Sequence, residues 1–201
     1  MAENKTASHV VCVPDTFFEI AKNIQVKELR PDYFVLVATA DIPPGCHILT
    51  ASPLSTYKHE EELTEYSQLV KQWYDDFVAF STQNQKDKFN QLFPRHICSP
   101  AKITFNYFNT GLTLDERYYL RALFYTPSFV NHNCCNSNTD YEFIKDKTNE
   151  VLIKLVAKKH IKLGEEITID YGTVAELVEQ ITLFSCPICD DSNSDDSESP
   201  S

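Results

Sequence analysis

Glycine is scarce in this sequence, because the 201 residues include only four, Gly45, Gly111, Gly164 and Gly172. P-loops and dinucleotide-binding loops require several closely spaced glycines, so the sequence excludes both. No run of apolar residues approaches the roughly 20 that a membrane-spanning helix needs. Residues 1–13 also lack an apolar run of signal-peptide length. We therefore expect no glycine-rich nucleotide site and no membrane segment.

Basic residues are also few compared with acidic residues. The chain has 18 Lys and Arg residues against 29 Asp and Glu residues, a formal net charge of −11. Because contacts to phosphates need a basic surface, we expect no direct binding of nucleic acid. An acidic surface instead favours a basic partner, such as a lysine-rich peptide or protein.

The cysteines do not suggest a disulfide framework. Their number is seven, an odd count, and no secretory signal accompanies them. We therefore expect a reducing compartment, either the cytoplasm, the nucleus or both, with cysteines as core residues, metal ligands or thiols. The length and the 42% content of hydrophobic residues predict one globular domain of ordinary size, which we expect to be a monomer.

Hydrophobic periodicity predicts the main elements. Strands are expected at 33–38 and 46–51, paired as a hairpin around the turn at 41–45. Residues 59–80 carry apolar side chains at helical spacing, with acidic residues Glu60, Glu61 and Glu62 in the expected first turn. A polar stretch, 81–88, is expected to follow this helix.

Weaker patterns complete the outline of secondary structure. A short helix is expected within 15–29, and the capping box at 113–116 predicts a helix through residue 125. A hairpin is expected from strands 141–144 and 151–157, followed by a short strand at 166–171. A further helix is expected over 173–183, and the acidic, low-complexity segment 190–201 is expected to be disordered.

Two segments stand apart from ordinary globular sequence. Residues 128–134 read Ser-Phe-Val-Asn-His-Asn-Cys, and residues 164–172 read Gly-Glu-Glu-Ile-Thr-Ile-Asp-Tyr-Gly. Each alone is only a common polar turn or hairpin entry. In this order, with a hairpin between them, they resemble the two signature motifs of the SET-domain family of protein lysine methyltransferases.

Two further segments extend the resemblance to the SET family. Residues 38–49 are similar to the opening hairpin of the family, and Asn106-Tyr-Phe108 is similar to an Asn-x-Phe element of the branch that also carries MYND zinc fingers. In that branch a helical insertion separates the opening strands from the Asn-His segment, as 55–94 would here. The MYND finger itself is absent, because 52–97 contain no cysteine.

The resemblance implies an α+β fold, mainly β, in which small curved sheets surround a threaded pseudoknot. It divides the chain into an N-terminal flank (1–30), a SET domain (31–185) with a helical insertion at about 55–97, a residual cysteine pair (186–189) and an acidic tail (190–201). It implies transfer of a methyl group from S-adenosylmethionine to a lysine of a protein substrate, such as a histone.

The resemblance also assigns roles to single residues. Tyr171 matches the catalytic tyrosine and contributes to the cofactor site, although a buried structural tyrosine is the alternative. Asn131 and His132 match the cofactor-binding pair, although His132 is also compatible with a core histidine. Further positions assigned by the resemblance are Asn106 and Phe184 for the cofactor and Phe129 and Ile169 for the substrate channel. Asn106 is equally compatible with a turn cap and Phe184 with a core residue, and the small Ile169 would leave room for more than one methylation.

The sequence departs from the family pattern at three places. Tyr33 and Val35 stand where the family has Gly-x-Gly, and neither allows the close backbone approach of glycine. Asn133 replaces the serine of the Asn-His-Ser-Cys motif. The zinc site of the family is reduced to Cys186 and Cys189, half of a tetrahedral thiolate set, and a pair of thiols without metal is the alternative.

These departures leave other functions open. A SET fold with weak or no activity could bind a basic partner without transferring methyl groups. A SET scaffold could also have been recruited to small-molecule chemistry, for which the sequence offers no positive feature.

Overall fold

The computed structural model describes residues 10–12, 18–60, 66–95, 99–110 and 118–171. Strands β1 to β6 come first in the chain. Three helices and β7 follow them, and β8 to β12 come last. The strands are β1 Val10–Cys12, β2 Glu19–Ala21, β3 Ile24–Arg30, β4 Tyr33–Ala38, β5 His47–Ala51, β6 Ser55–Glu60, β7 Tyr107–Asn109, β8 Tyr118–Leu123, β9 Asn131–His132, β10 Thr139–Lys145, β11 Val151–Ala157 and β12 Thr168–Ile169. The helices are α1 Tyr66–Phe80, α2 Gln83–Asn90 and α3 Ala101–Asn106, and a 3-10 turn covers Thr126–Phe129.

The described strands form small sheets rather than one large sheet. One four-stranded sheet has the order β1-β6-β8-β7, and another has the order β10-β11-β5-β2. Strands β3 and β4 form an antiparallel pair, and β9 and β12 form a parallel pair. This arrangement confirms the predicted SET-type fold, mainly β with a few helices.

The parallel pair joins two segments that are far apart in sequence. Asn131 lies opposite Thr168, and His132 lies opposite Ile169. Just beyond the pair, the buried Asn138 accepts a hydrogen bond from the Thr168 amide (3.0 Å) and donates one to the Glu166 carbonyl (2.8 Å). These bonds satisfy polar groups that would otherwise be costly to bury, so they fix the register of the two segments.

Aromatic side chains join α1 to the sheets. Tyr57 of β6 stacks on Trp73 of α1 with ring centroids 5.4 Å apart, and the Trp73 indole donates to Ser55 Oγ at 2.9 Å. Phe77 and Phe89 pack together at 5.0 Å, which ties α1 to α2. Since the apolar stripe of α1 is covered in this way, the helix stabilises the core through packing. None of the helices in the described segments is long and apolar enough to cross a membrane.

A buried lysine holds the segment after α2. Lys102 of α3 is fully buried, and its ammonium donates to the carbonyls of Asn90 (2.7 Å) and Leu92 (3.0 Å). The carbonyls of Phe89 and Arg95 lie at 3.5 and 3.4 Å. The positive charge therefore lies at the C-terminal end of α2, where the helix dipole is favourable to a cation.

Two expectations for the N-terminal half are wrong. Residues 15–29 were expected to hold a helix, but β2 and β3 lie there, because β2 pairs with β5 and Asn23 adopts a positive φ of 58° that ends any helix. The strands at 33–38 and 46–51 exist, the second as His47–Ala51, but they are not a hairpin. Strand β4 pairs with β3, whereas β5 pairs with β2 and β11.

The helical insertion also differs from the expectation. Residues 59 and 60 belong to β6, which pairs with β1 and β8, and the described helix begins at Tyr66. Glu60 is therefore a strand residue, while Glu61 and Glu62 lie outside the described segments. The polar stretch at 81–88 is largely α2, because Thr82 and Gln85 form a capping box that the sequence interpretation missed.

The predictions for the later elements are partly correct. The predicted hairpin is present as β10 and β11, and the final strand is confined to Thr168–Ile169. Residues 118–123 are strand β8 rather than a helix, because pairing with β6 on one side and β7 on the other overrides local helix propensity. The capping box at 113–116, the helix at 173–183 and the acidic tail lie outside the described residues.

Removal of the Lys102 ammonium should destabilise the fold. Lys102→Met keeps the length of the side chain but leaves several buried carbonyls without a donor, so we expect a loss of about 2–4 kcal/mol. Urea unfolding followed by circular dichroism measures this loss. Lys71→Met is the matched control, because the exposed Lys71–Asp75 pair should contribute less than about 0.5 kcal/mol. Equal effects of the two substitutions would contradict a stabilising role for the buried ammonium.

Candidate functional site

A cavity of about 420 Å³ lies where β4, α3, β7, the 3-10 turn and the β9–β12 pair meet. This volume is within the range of about 300–1,000 Å³ of pockets that bind small molecules. Its walls are mainly aromatic, with a few charged and amide groups between the rings. Its lining includes Asp32, Tyr33, Phe34, Phe93, Arg95, Phe105, Asn106, Tyr107, Phe108, Phe129, Asn131, His132, Tyr141 and Tyr171.

Tyr171 lies in the cavity wall just after β12. Its hydroxyl donates to the Val130 carbonyl at 2.8 Å, and its backbone amide donates to Nδ1 of His132 at 3.1 Å. Burial, followed by the nearby Tyr141, Tyr33 and Glu166, raises the pKa of the Tyr171 phenol well above its usual value. The phenol is therefore held protonated and oriented.

The same contacts hold the imidazole ring of His132 in place. Its Nδ1 accepts the hydrogen bond from the Tyr171 amide, so in this arrangement a ring proton resides on Nε2. The rings of His132 and Tyr171 lie 5.0 Å apart, and the Asp170 carboxylate lies 3.8 Å from Nδ1. The side chain of His132 is only 9% exposed, so it links the parallel strands to the cavity wall.

Asn131 connects the two signature segments through its side chain. Its Nδ2 donates to Glu166 Oε1 at 2.7 Å and lies 3.3 Å from the hydroxyl of Tyr33. Glu166 belongs to the Gly-Glu-Glu segment that precedes β12. The carboxylate therefore orients an amide at the edge of the cavity.

The two residues in place of the family glycines have different environments. Tyr33 lines the cavity and is 37% exposed, with the Arg30 guanidinium 4.8 Å from its ring centroid. Burial and the Glu166 carboxylate raise the pKa of Tyr33, while Arg30 opposes that rise. Val35 is fully buried in β4 and does not line the cavity. Of the two residues, only Tyr33 can therefore affect a ligand directly.

Other residues singled out in the sequence divide between the cavity and the core. Asn106 and Phe129 line the cavity. The Asn106 amide donates to the carbonyls of Phe93 (2.6 Å) and Lys102 (2.7 Å), so it also fixes the backbone. Ile169 is 1% exposed and packs in the core instead of lining the cavity. Its effect on the size of a substrate channel would therefore be indirect.

The sequence interpretation missed several wall residues. Phe34, Phe105 and Tyr141 look like ordinary core aromatics in the sequence, and only the packing of their elements brings them to one cavity. Arg95 belongs to none of the sequence motifs. Its position depends on the turn after α2, which Lys102 holds.

Some predicted site residues lie outside the described part of the chain. These are Phe184, Cys186 and Cys189, so the structure gives no geometry for the expected adenine contact or zinc pair. Within the described segments, no group of three or more His, Cys, Asp or Glu side chains could hold a metal ion.

Comparison with known families identifies one match. A model of the SET domain matches residues 33–172, which is more than half of the chain. A search of curated proteins found no match.

Solved structures of SET proteins are also similar to this chain. A candidate histone methyltransferase of Plasmodium falciparum is 18% identical, with 76% of this chain and 96% of the other covered and a TM-score of 0.42. The Polycomb Repressive Complex 2 of Chaetomium thermophilum is 19% identical, with 76% and 16% covered and a TM-score of 0.42. An autoinhibited form of that complex bound to S-adenosylmethionine is also 19% identical, with 80% and 17% covered and a TM-score of 0.43. The chain thus spans about a sixth of the length of those Polycomb chains. Identities and TM-scores this low add no support to the family match.

The raised pKa of Tyr171 predicts its behaviour in alkaline titration. A free tyrosine ionises near pH 10, and the buried Tyr171 should remain protonated there. Ultraviolet titration of the wild type and of Tyr171→Phe should therefore give equal phenolate counts up to about pH 11. One additional tyrosine ionising below that pH in the wild type would show that the phenol is not held protonated. Above about pH 10 this group should lower the free energy of unfolding, because only the unfolded tyrosine releases its proton.

Proposed function

The chain belongs to the SET-domain family, and on that premise we propose that it transfers a methyl group from S-adenosylmethionine to a lysine side chain of a protein. The observation that carries the proposal is the convergence of Asn131, His132 and Tyr171 on one aromatic-walled cavity. The helices between β6 and β7 support the further proposal of a place in the MYND-related branch.

The cavity fits the cofactor that this function needs. S-adenosylmethionine, when bound, supplies a methyl group on a positively charged sulfur. An aromatic wall suits both the adenine ring and a sulfonium cation, because aromatic faces are electron-rich. Asn131 and Asn106 would contribute their amide oxygens as acceptors, because their N–H groups already donate within the protein, and the walls would exclude water. The described lining residues are therefore compatible with this cofactor.

The substrate lysine must be uncharged to act as a nucleophile. A free lysine has a pKa of about 10.4, so at neutral pH it is almost entirely protonated. Burial among Phe129, Tyr141 and Tyr171 would favour the neutral amine, because removing a charge from water is unfavourable. The same walls would restrict the amine to a narrow range of orientations, which contributes to the rate.

Tyr171 is proposed to orient that amine without acting as a base. Its proton is committed to the Val130 carbonyl, and the raised pKa keeps it on the oxygen. A phenolic oxygen that donates one hydrogen bond still has lone pairs with which it can accept another. The oxygen can therefore accept a hydrogen bond from the lysine amine and align its lone pair for methyl transfer.

The electrostatic character of the chain supports a basic substrate. The net charge is −11, and Asp170 beside His132 is 47% exposed. Such a field attracts lysine-rich segments and speeds their encounter with the protein. We propose a basic protein segment, such as a histone tail, as the substrate.

One observation favours a second candidate function. Tyr33 occupies cavity space at a position where the family has glycine, and Asn131 contacts its hydroxyl. A side chain that fills cofactor space would leave a SET fold that binds a basic partner without catalysis. Cofactor binding separates this function from the enzyme.

Removal of the Tyr171 hydroxyl tests the enzyme. We expect the wild type to bind S-adenosylmethionine with a micromolar dissociation constant, about −8 kcal/mol, in calorimetric titration. Tyr171→Phe should keep that affinity and lower the rate of methyl transfer to a lysine peptide by about 100-fold, a typical effect of one positioned transition-state contact. Absence of cofactor binding in the wild type, or unchanged turnover in the variant on a confirmed substrate, would contradict the proposal.

Substitution of Tyr33 separates the two candidate functions. If Tyr33 is part of a working cavity, Tyr33→Gly should weaken cofactor binding by about 2- to 10-fold, because a wall contact and a partner of Asn131 are lost. Tighter binding would instead show that Tyr33 obstructs the site and would favour the binding module. Tyr33→Phe is the control, because it removes the hydroxyl and keeps the ring. Val35 is left unchanged, since its substitution would damage the core.

A further inference from the structure

We propose that Arg95 binds a carboxylate group of the ligand in the cavity. If the proposed function holds, on which this inference rests for the identity of the ligand, that group is the carboxylate at the amino-acid end of S-adenosylmethionine. Arg95 lies in the segment after α2 and matches none of the motifs found in the sequence.

The guanidinium of Arg95 is oriented by two contacts. It stacks on Phe34 with its central carbon 3.8 Å from the ring centroid, and its Nε lies 3.5 Å from the Gln91 carbonyl. The stacking contact uses one face of the guanidinium, and the contact with the Gln91 carbonyl uses its Nε–H group. The remaining N–H groups of a guanidinium form a planar fork that matches a carboxylate.

The charge of Arg95 is not neutralised within the described segments, where no carboxylate oxygen lies within 4.0 Å of it. This is notable because acidic residues outnumber basic ones by 29 to 18 in the chain. The side chain of Arg95 is exposed, so a ligand in the cavity can reach its guanidinium.

The backbone that carries Arg95 is held in place before any ligand arrives. The Lys102 ammonium lies 3.4 Å from the Arg95 carbonyl and 3.0 Å from that of Leu92. The Asn106 amide holds the Phe93 carbonyl at 2.6 Å. The held backbone and the stacking on Phe34 restrict the arginine before a ligand binds, which lowers the entropy cost of binding.

The rest of the cavity indicates which anion would fit. Asp32 adds a carboxylate to the lining, so the walls present charges of both signs. Such walls are compatible with a ligand that carries both a carboxylate and an ammonium group. The aromatic walls suit the apolar remainder of the ligand better than they suit a phosphate-rich molecule.

Two sources could supply the carboxylate, and the experiment distinguishes them. One is the amino-acid end of the cofactor, and the other is an acidic side chain of the peptide substrate. S-adenosylhomocysteine, the demethylated product, serves as the first probe. A decarboxylated analogue that keeps its ammonium group reports the contribution of the carboxylate alone.

Calorimetric titration of wild type, Arg95→Met and Arg95→Lys provides the test. We expect Arg95→Met to lower the affinity for S-adenosylhomocysteine by about 10- to 100-fold, as for a lost charge-assisted hydrogen-bond pair, and to leave the affinity for the decarboxylated analogue unchanged. Arg95→Lys should give an intermediate loss, because it keeps the charge without the planar fork.

Arg30→Met is the matched control. It removes another arginine stacked on a wall residue, Tyr33, but Arg30 does not itself line the cavity. It should therefore change both affinities little. Equal losses in Arg30→Met and Arg95→Met would mean that overall charge, not a carboxylate contact, accounts for the effect, and would overturn the proposal.

The remaining outcomes show whether Arg95 binds a carboxylate and which molecule supplies it. If Arg95→Met weakens only the binding of a lysine peptide with a neighbouring Glu, and not that of its Gln counterpart, the carboxylate belongs to the substrate. If neither probe responds, Arg95 is not a carboxylate-binding residue. Failure of the wild type to bind S-adenosylhomocysteine would count against the proposed function, whereas equal binding by wild type and Arg95→Met would overturn only this inference for the cofactor.

Discussion

The parallel pairing of Asn131–His132 with Thr168–Ile169 is the contact on which the candidate site depends. It places His132 beside Tyr171, which follows the second strand by two residues. The pair is only two residues long, so its few backbone bonds alone would be a weak constraint. Asn138 compensates by bonding to the backbone on the facing segment, and its bond with the Thr168 amide is buried. The geometry of the cavity is thus determined by buried polar groups as much as by apolar packing.

A second constraint acts from the opposite wall. The Lys102 ammonium gathers the carbonyls that follow α2, while Asn106 fixes the carbonyl of Phe93. A buried cation surrounded by neutral carbonyls needs well-formed bonds to offset its lost hydration. The turn that it organises carries Phe93 and Arg95 into the cavity wall. Stability and ligand recognition therefore share one group of residues on this side.

The sequence predicted the part of the site that lies within short motifs. Asn131, His132 and Tyr171 could be placed together because the family resemblance fixes their relation, and all three line the cavity. Arg95 could not be found, since its location depends on hydrogen bonds from a helix formed later in the chain. The strand at Tyr118–Leu123 was missed for a related reason, because partners on both sides decide its conformation. Tyr33 and Val35 looked equivalent in the sequence, yet only their packing shows that one faces the cavity and the other the core.

The pairing of distant segments also has a consequence for the order of assembly during synthesis. His132 leaves the ribosome well before Ile169 and Tyr171, the residues that complete its surroundings. Chains emerge at about 5–20 residues per second, so roughly two to eight seconds separate the two halves of the site. During that interval the Asn-His segment has no partner strand, and its polar groups must remain hydrated. The hairpin of β10 and β11 can form meanwhile, because its contacts are local. Assembly of the cavity is therefore a late event, because it cannot finish before residues 168–171 have been synthesised.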